Sequence, residues 1–357
     1  LAKGQRSVSG TRNLDFFSAL VEHALAAEQA GGTHDVWHRI AGLVLRIRFL
    51  GEALQRTIAP ALEHCRIDPP GHAADLTLEC WDCESLRLPF PTAPVGKQAF
   101  MPRGEVTELS DARFHTAYEP GGRLLSMMDE QARHAFYCIG SASKISRFEA
   151  AEPIRSILSW FMRAHGRLLV HAAAVGYADG GALLIGRSGA GKSNTSLACL
   201  NGGMGLLADD FCAVSIDGAP MAHSLYCTAK THPEDIEKRP FLRNFAPQPD
   251  PSGQDKTIYF LKRAASERLL LDFPIKALLM LQKSEGETRL APASPAAVLA
   301  GSAPDTARLL AGAGPEVLRT LGQLVRRLPC YTLLLGSDPA AIPVVIERLL
   351  QERRDAR

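Results

Sequence analysis

The chain has 357 residues, 46% hydrophobic and 22% charged, with 40 basic residues against 38 acidic ones and a net charge of +2. That length suits one large domain or two ordinary ones, each with its own core. The near-even charge balance removes the electrostatic ground for expecting nucleic acid or an anionic membrane as the main partner. No apolar run approaches the roughly 18 residues of a membrane span, and the opening Leu1-Ala-Lys-Gly-Gln-Arg-Ser lacks the apolar core of a secretory signal. Eight cysteines are scattered along the chain, several inside apolar stretches (Cys138, Cys199, Cys212, Cys330). They read as reduced, buried small hydrophobes of a cytoplasmic protein.

In chain order, Phe16, Leu20, Val21 and Leu25 recur at helical spacing over residues 13–31, which predicts a helix stopped at Gly31-Gly32. His38 to Phe49 reads as a strand and Gly51 to His64 as an amphipathic helix. After the Pro69-Pro70 break come short strand candidates at 75–81, 104–109, 113–118, 123–127 and 134–139, separated by turn signals such as Pro120-Gly-Gly and Met128-Asp-Glu. Cys80-Trp-Asp-Cys83 has redox or zinc spacing, but no second pair follows at finger-like distance, and it reads as the end of an edge strand running into a turn. Residues 1–150 are therefore expected to form a strand-rich α+β domain.

Residues 151–357 begin with a helix near Glu152–Ala164 and a strand near Leu168–Val175. Asp179-Gly-Gly predicts a hairpin into the short apolar run Ala182–Ile185, of the kind a buried strand shows. Beyond it the pattern predicts a helix from Ser193 to Leu200, a Gly202-Gly203 stop and a strand at Met204–Ala208. Further strands are expected at 211–216, 257–260, 275–282 and 331–335, with a polar, Pro-rich loop at about 232–255. Helices at about 303–326 and 339–352 close the chain.

Between the predicted strand and helix lies Gly186-Arg-Ser188-Gly189-Ala190-Gly191-Lys192-Ser193. This is the GxxxxGK[ST] pattern, in which glycines let successive backbone N–H groups point at phosphate. The lysine reaches the terminal phosphates and the hydroxyl residue ligates Mg²⁺. The flanking strand and helix supply the context that the pattern requires. Asp209-Asp210 follow Lys192 by 17 and 18 positions, and one short helix and one strand bring both carboxylates back beside the loop. At a strand end such a pair can diverge, one carboxylate toward a metal and the other toward an incoming nucleophile. His171 lies 21 positions ahead of Lys192.

Taken together, His171-Ala-Ala-Ala-Val, the loop at 186–193 and Leu207-Ala-Asp209-Asp210 resemble the catalytic domain of HPr kinase/phosphorylase and related bacterial serine kinases, including those encoded beside lasso-peptide precursors. The resemblance covers about residues 165–282. It implies an α/β P-loop kinase domain of the HPr kinase/phosphoenolpyruvate carboxykinase type. It also implies ATP and Mg²⁺ as cofactors, with Gly186, Ser188, Gly189, Ala190, Gly191, Lys192, Ser193 and Asn194 around the nucleotide. Lys192 would hold the phosphates, Ser193 and Asp210 the Mg²⁺, Asp209 would act as general base, and His171 would lie near the γ-phosphate. The family usually carries Glu where this chain has Asn194, which weakens the analogy for a second metal or for phosphorolysis. The first 150 residues do not match the family's usual regulatory domain.

A cation to neutralise charge is expected from Arg239, Arg243, Lys256 or Arg263, with Lys256 foremost. The expected activity is transfer of the γ-phosphate to a serine of a peptide or small protein, such as a modified-peptide precursor. A small-metabolite phosphotransferase and a nucleotide-binding regulator with little turnover are the rival readings. Neither nucleic acid nor membrane is an expected partner, and a homo-oligomer is left open.

Overall fold

The computed structural model describes residues 2–96, 104–119, 123–245, 256–310 and 314–355, of which 2–10 and 238 are described by backbone only. Two units divide the chain near residue 165, and residues 60–65 group with the second. The turn signal Pro120-Gly-Gly and the end of the polar loop, 246–255, fall outside the described residues.

The first unit is built on one seven-stranded mixed sheet in the order β3-β1-β2-β4-β7-β6-β5. Its elements in chain order are α1 (Ala2–Gly31), β1 (Thr33–Ile40), β2 (Leu43–Leu50), α2 (Ala53–Leu62), β3 (Arg66–Ile67), β4 (Leu76–Asp82), α3 (Cys83–Leu86), β5 (Phe114–Glu119), β6 (Leu124–Asp129), β7 (His134–Ile139), α4 (Arg147–Ala151) and α5 (Arg155–Ala164). Helix α1 buries Phe16, Phe17, Leu20, Ala24 and Ala27 in the same core as Trp81, Phe114 and Phe136.

Four expectations are corrected here. The single strand at 38–49 is a hairpin, because Ala41 and Gly42 both take positive φ (53° and 80°), the backbone of a tight two-residue turn. Residues 104–109 form a short bridge and a 3₁₀ turn over Thr107–Leu109. The strand ending at Cys80-Trp-Asp-Cys83 is central, not an edge, since β4 pairs in parallel with β2 and β7. Cys83 lies against Cys138, with sulfurs 3.3 Å apart. Among the described residues no group of three or more His, Cys, Asp or Glu converges as a metal site. Helix α5, expected at the head of the second part, belongs to the first unit.

The second unit centres on a nine-stranded mixed sheet. Its strands and helices are β8 (Arg167–His171), β9 (Ala173–Tyr177), β10 (Gly180–Ile185), α6 (Lys192–Asn201), β11 (Gly205–Ala208), β12 (Phe211–Ser215), β13 (Met221–Ser224), β14 (Thr228–Thr231), α7 (Pro233–Lys238), β15 (Thr257–Phe260), α8 (Lys262–Ala265), β16 (Asp272–Lys283), β17 (Arg289–Pro292), α9 (Pro295–Leu309), α10 (Pro315–Arg327), β18 (Cys330–Leu335) and α11 (Ala341–Asp355). The order is β11-β9-β10-β16-β13-β12-β8, with β18 beside β16 and β17 beside β18, while β14 and β15 form a separate ribbon.

Strand β10 runs parallel to β16, and β16 parallel to β18. Along β10, Ala182 and Leu184 enter a core with Leu197, Leu200, Ile346 and Leu349 of α6 and α11. Leu183 and Ile185 enter the opposite core with Val298, Leu321 and Leu324 of α9 and α10. A strand buried on both faces needs apolar residues at every position, so its pattern is continuous and not alternating.

The strand expected at 168–175 is interrupted at Ala172. Before the break β8 pairs with β12, and after it β9 pairs with β10 and β11. The long helix expected at 303–326 is two helices, α9 and α10. Within the expected loop at 232–255, residues 233–238 are α7 and 240–245 a 3₁₀ turn.

Candidate functional site

The site gathers where β10, α6, β8 and the β11–β12 link approach one another. Loop 186–191 leaves the buried end of β10 and enters α6 with Gly191 as the cap, at φ +103°. Gly189 also takes positive φ (+83°), and a Cβ built there would meet nothing within 4 Å. At Gly186 the same Cβ would come within 2.8 Å of the Cβ of Ala190. Glycine is needed at 189 and 191 for conformation and at 186 for space. Helix α6 is held down by Leu197, Cys199 and Leu200, all fully buried.

Lys192 is 6% exposed, and its ammonium donates to the carbonyls of Gly186 at 2.8 Å and Arg187 at 3.5 Å. Burial lowers its proton affinity, while Asp210, Asp209 and Asp305 raise it and Lys256 lowers it. A buried cation that rests on carbonyl oxygens beside an open glycine cradle suits an anionic ligand.

Asp209 and Asp210 form the two-residue link between β11 and β12, and their side chains diverge. The Asp209 carboxylate is 2% exposed. Its Oδ2 accepts from the Ser193 hydroxyl at 2.9 Å and from the Lys230 backbone N–H at 3.1 Å. Its Oδ1 accepts from the Ser196 hydroxyl at 2.7 Å. Burial and the neighbouring Asp210 raise its pKa against these bonds. The Asp210 side chain is partly exposed, with Oδ1 2.7 Å from His171 Nε2 and Oδ2 2.9 Å from Lys230 Nζ. Against the cost of burial, Lys230 foremost and then His171 hold its carboxyl well below the usual range. The resemblance places Asp209 toward the acceptor and Asp210 beside Ser193. In the structure Asp209 is the carboxylate on Ser193, and Asp210 turns to His171 and Lys230.

His171 ends β8 opposite Phe211 of β12, and its backbone N–H donates to Thr306 Oγ1 at 3.1 Å. Its Nδ1 lies 3.9 Å from Asp305 Oδ2, and that same oxygen accepts from the Ser188 N–H at 3.1 Å. Among the described residues, Asn194 Oδ1 has no hydrogen-bond partner, and it is buried at the start of α6.

Sequence reasoning missed Lys230 and Asp305. Lys230 lies in the run Leu225-Tyr-Cys-Thr-Ala-Lys-Thr. A lysine inside a buried-strand pattern is the signal that could have found it, because such a charge needs a partner. Asp305 looks like any acidic residue of a helix and gave no signal. Of the four expected cations, Arg239 pairs with Asp235 on α7, and Arg243 and Arg263 are exposed. The charge of Lys256 acts on Lys192.

The oxygen pair of Ser193 and Asp209 suits a hard divalent cation such as Mg²⁺, which is held through one or two carboxylates together with substrate phosphates. Loop amides and Lys192 suit the phosphates themselves.

No family model matches the chain, and no curated protein matches it. Among solved structures it is similar to the Hpr(Ser) kinase/phosphatase from Coxiella burnetii, at 14% identity and a TM-score of 0.30, with 53% of this chain and 97% of that chain covered. Among the described residues no helix is long and apolar enough to cross a membrane.

Proposed function

We propose that this chain is an ATP- and Mg²⁺-dependent phosphotransferase that phosphorylates an alcohol, with a serine of a peptide or small protein as its acceptor. The observation that carries the reading is the division of the adjacent carboxylates. One is bonded to the hydroxyl of the phosphate loop, and the other is partly open and held by a lysine and a histidine.

Loop amides from Ser188 to Ser193 and the Lys192 ammonium would bind the phosphates. Ser193 and Asp209 would hold Mg²⁺, which supplies charge neutralisation on the transferring group. Asp209 accepts the Ser193 hydroxyl hydrogen, which would leave the oxygen lone pairs free to act as a ligand. Asp210 takes the proton of the attacking hydroxyl as its oxygen bonds to the γ-phosphorus and the bond to the β-phosphate bridge breaks. ADP leaves. Lys230 and His171 keep Asp210 ionised and aimed, so the proton acceptor is ready at neutral pH. This reading exchanges the two aspartate roles implied by the resemblance. The reason is access, since Asp209 is 2% exposed while the Asp210 side chain is 26% exposed.

The test is incubation with γ-labelled ATP and serine-containing peptides, with and without Mg²⁺. Label on a peptide serine supports the proposal. Label only on a small metabolite, or tight binding without transfer, moves the chain to one of the rival readings.

A further inference from the structure

The backbone N–H groups of a glycine-rich phosphate loop are donors that suit an anion. Here a carboxylate of the chain itself accepts from one of them. Asp305, from α9, places Oδ2 3.1 Å from the Ser188 N–H, at the crown of the loop. The Ser188 end of the contact is exposed, and the carboxylate is carried by a helix seated in the core. Val298, Ser302, Ala303 and Thr306 anchor α9 in the core, and Thr306 also accepts from the backbone N–H of His171. The Asp305 side chain is 18% exposed, and the same Oδ2 lies 3.9 Å from the ring of His171. Its charge also reaches Lys192, whose ammonium is folded back onto the Gly186 and Arg187 carbonyls.

We propose that Asp305 is an internal latch on the phosphate loop, a carboxylate that holds the place of a phosphate oxygen and must be displaced before nucleotide polyphosphate can bind. The proposal rests on the reading of loop 186–193 as a phosphate site. Carboxylate and phosphate oxygens compete for the same donors, and two anions on one small loop repel. Arg308, one turn further along α9, lies 3.8 Å from Asp305 Oδ1 and is mostly exposed, so it offers the displaced carboxylate a cation at the solvent edge. A latched loop is binding-competent only for the fraction of time it is open, and apparent affinity falls by that fraction.

The experiment compares wild type, Asp305→Asn, Asp305→Ala and Lys192→Ala by calorimetric titration with MgATP and with MgADP, and by transfer of label to a peptide. Asn preserves shape and removes the charge, so a fold defect in the Ala variant does not decide the matter. A latch that is closed nine-tenths of the time predicts about tenfold tighter binding for Asp305→Ala and a smaller gain for Asp305→Asn. Lys192→Ala should lose binding, which places the measured site at the loop. If wild type binds at the loop and both Asp305 variants bind no tighter, the latch is wrong while the phosphate-site reading stands. If Asp305→Asn abolishes transfer at unchanged affinity, the residue belongs to the transfer machinery and the latch is again overturned. If no variant binds either nucleotide, the phosphate-site reading fails and the latch with it.

Discussion

The Ser193 hydroxyl donates to Asp209 Oδ2 at 2.9 Å, which ties the last residue of the phosphate loop to the first carboxylate of the β11–β12 link. This bond separates two acidic neighbours that the sequence presents as equivalent. Asp210→Asn should cut transfer by about 10²- to 10⁴-fold, the usual contribution of a positioned proton acceptor, and leave MgATP affinity nearly intact. Asp209→Asn should instead weaken Mg²⁺-dependent nucleotide binding. Single-turnover transfer and titration with and without Mg²⁺ distinguish the two, and the opposite pattern would return the base role to Asp209.

Lys230 and His171 hold the Asp210 carboxyl low, so Asp210 stays ionised throughout the neutral range. The sign follows directly: removing a neighbouring positive charge raises a carboxyl pKa. In Lys230→Met the acid limb of the pH–rate profile should therefore move to higher pH, with loss of rate first seen on the acid side. A limb that stays in place, or moves to lower pH, would show that the pair does not tune the acceptor.

Lys192→Ala removes a buried cation from the expected phosphate position. By the roughly 2–5 kcal/mol that truncating one member of a desolvated charge pair costs, nucleotide affinity should fall by at least ~30-fold. Gly191→Val should also impair binding, since Gly191 has φ +103° and a Cβ there would meet Leu335 at 3.3 Å. The strain should lower stability by about 1–3 kcal/mol. Equal unfolding midpoints for wild type and Gly191→Val would contradict this loop geometry.

Leu197 is fully buried under α6, in the core that α6 shares with β10 and α11. Leu197→Ala should cost about 2–5 kcal/mol in denaturant unfolding of the second unit, from lost transfer energy and a cavity. The Ser193–Asp209 bond depends on the seat of α6, so nucleotide binding should weaken in parallel.

All eight cysteines are free thiols; seven are buried and Cys330 is half-buried. An aromatic disulfide reagent should modify at most one thiol quickly in the folded protein and all eight after unfolding. Fast reaction of Cys83 or Cys138 in the native state would mean that the first unit opens there.

The glycine-rich loop, its flanking strand and its helix were legible from sequence, because glycine conformation and an apolar run are local properties. The break at Ala172 was not, since Leu168 to Val175 is uniformly apolar and only strand pairing shows that its halves join different neighbours. The Ala41-Gly42 turn was missed because alanine rarely takes positive φ and so gives no turn signal. Lys230 comes from within β14, where its charge is tolerated because Asp210 meets it.

By itself the sequence determined that a glycine-rich loop of the GxxxxGK[ST] pattern exists, with a lysine, a hydroxyl and two nearby carboxylates. Each of those is a matter of residue type and short spacing. Which carboxylate meets Ser193, which lysine meets Asp210, and that α9 brings Asp305 to Ser188 were decided only by the tertiary structure. These contacts join residues 16 to 117 positions apart. Their partners are set by which strands and helices pack together, and that packing is not written in any local pattern.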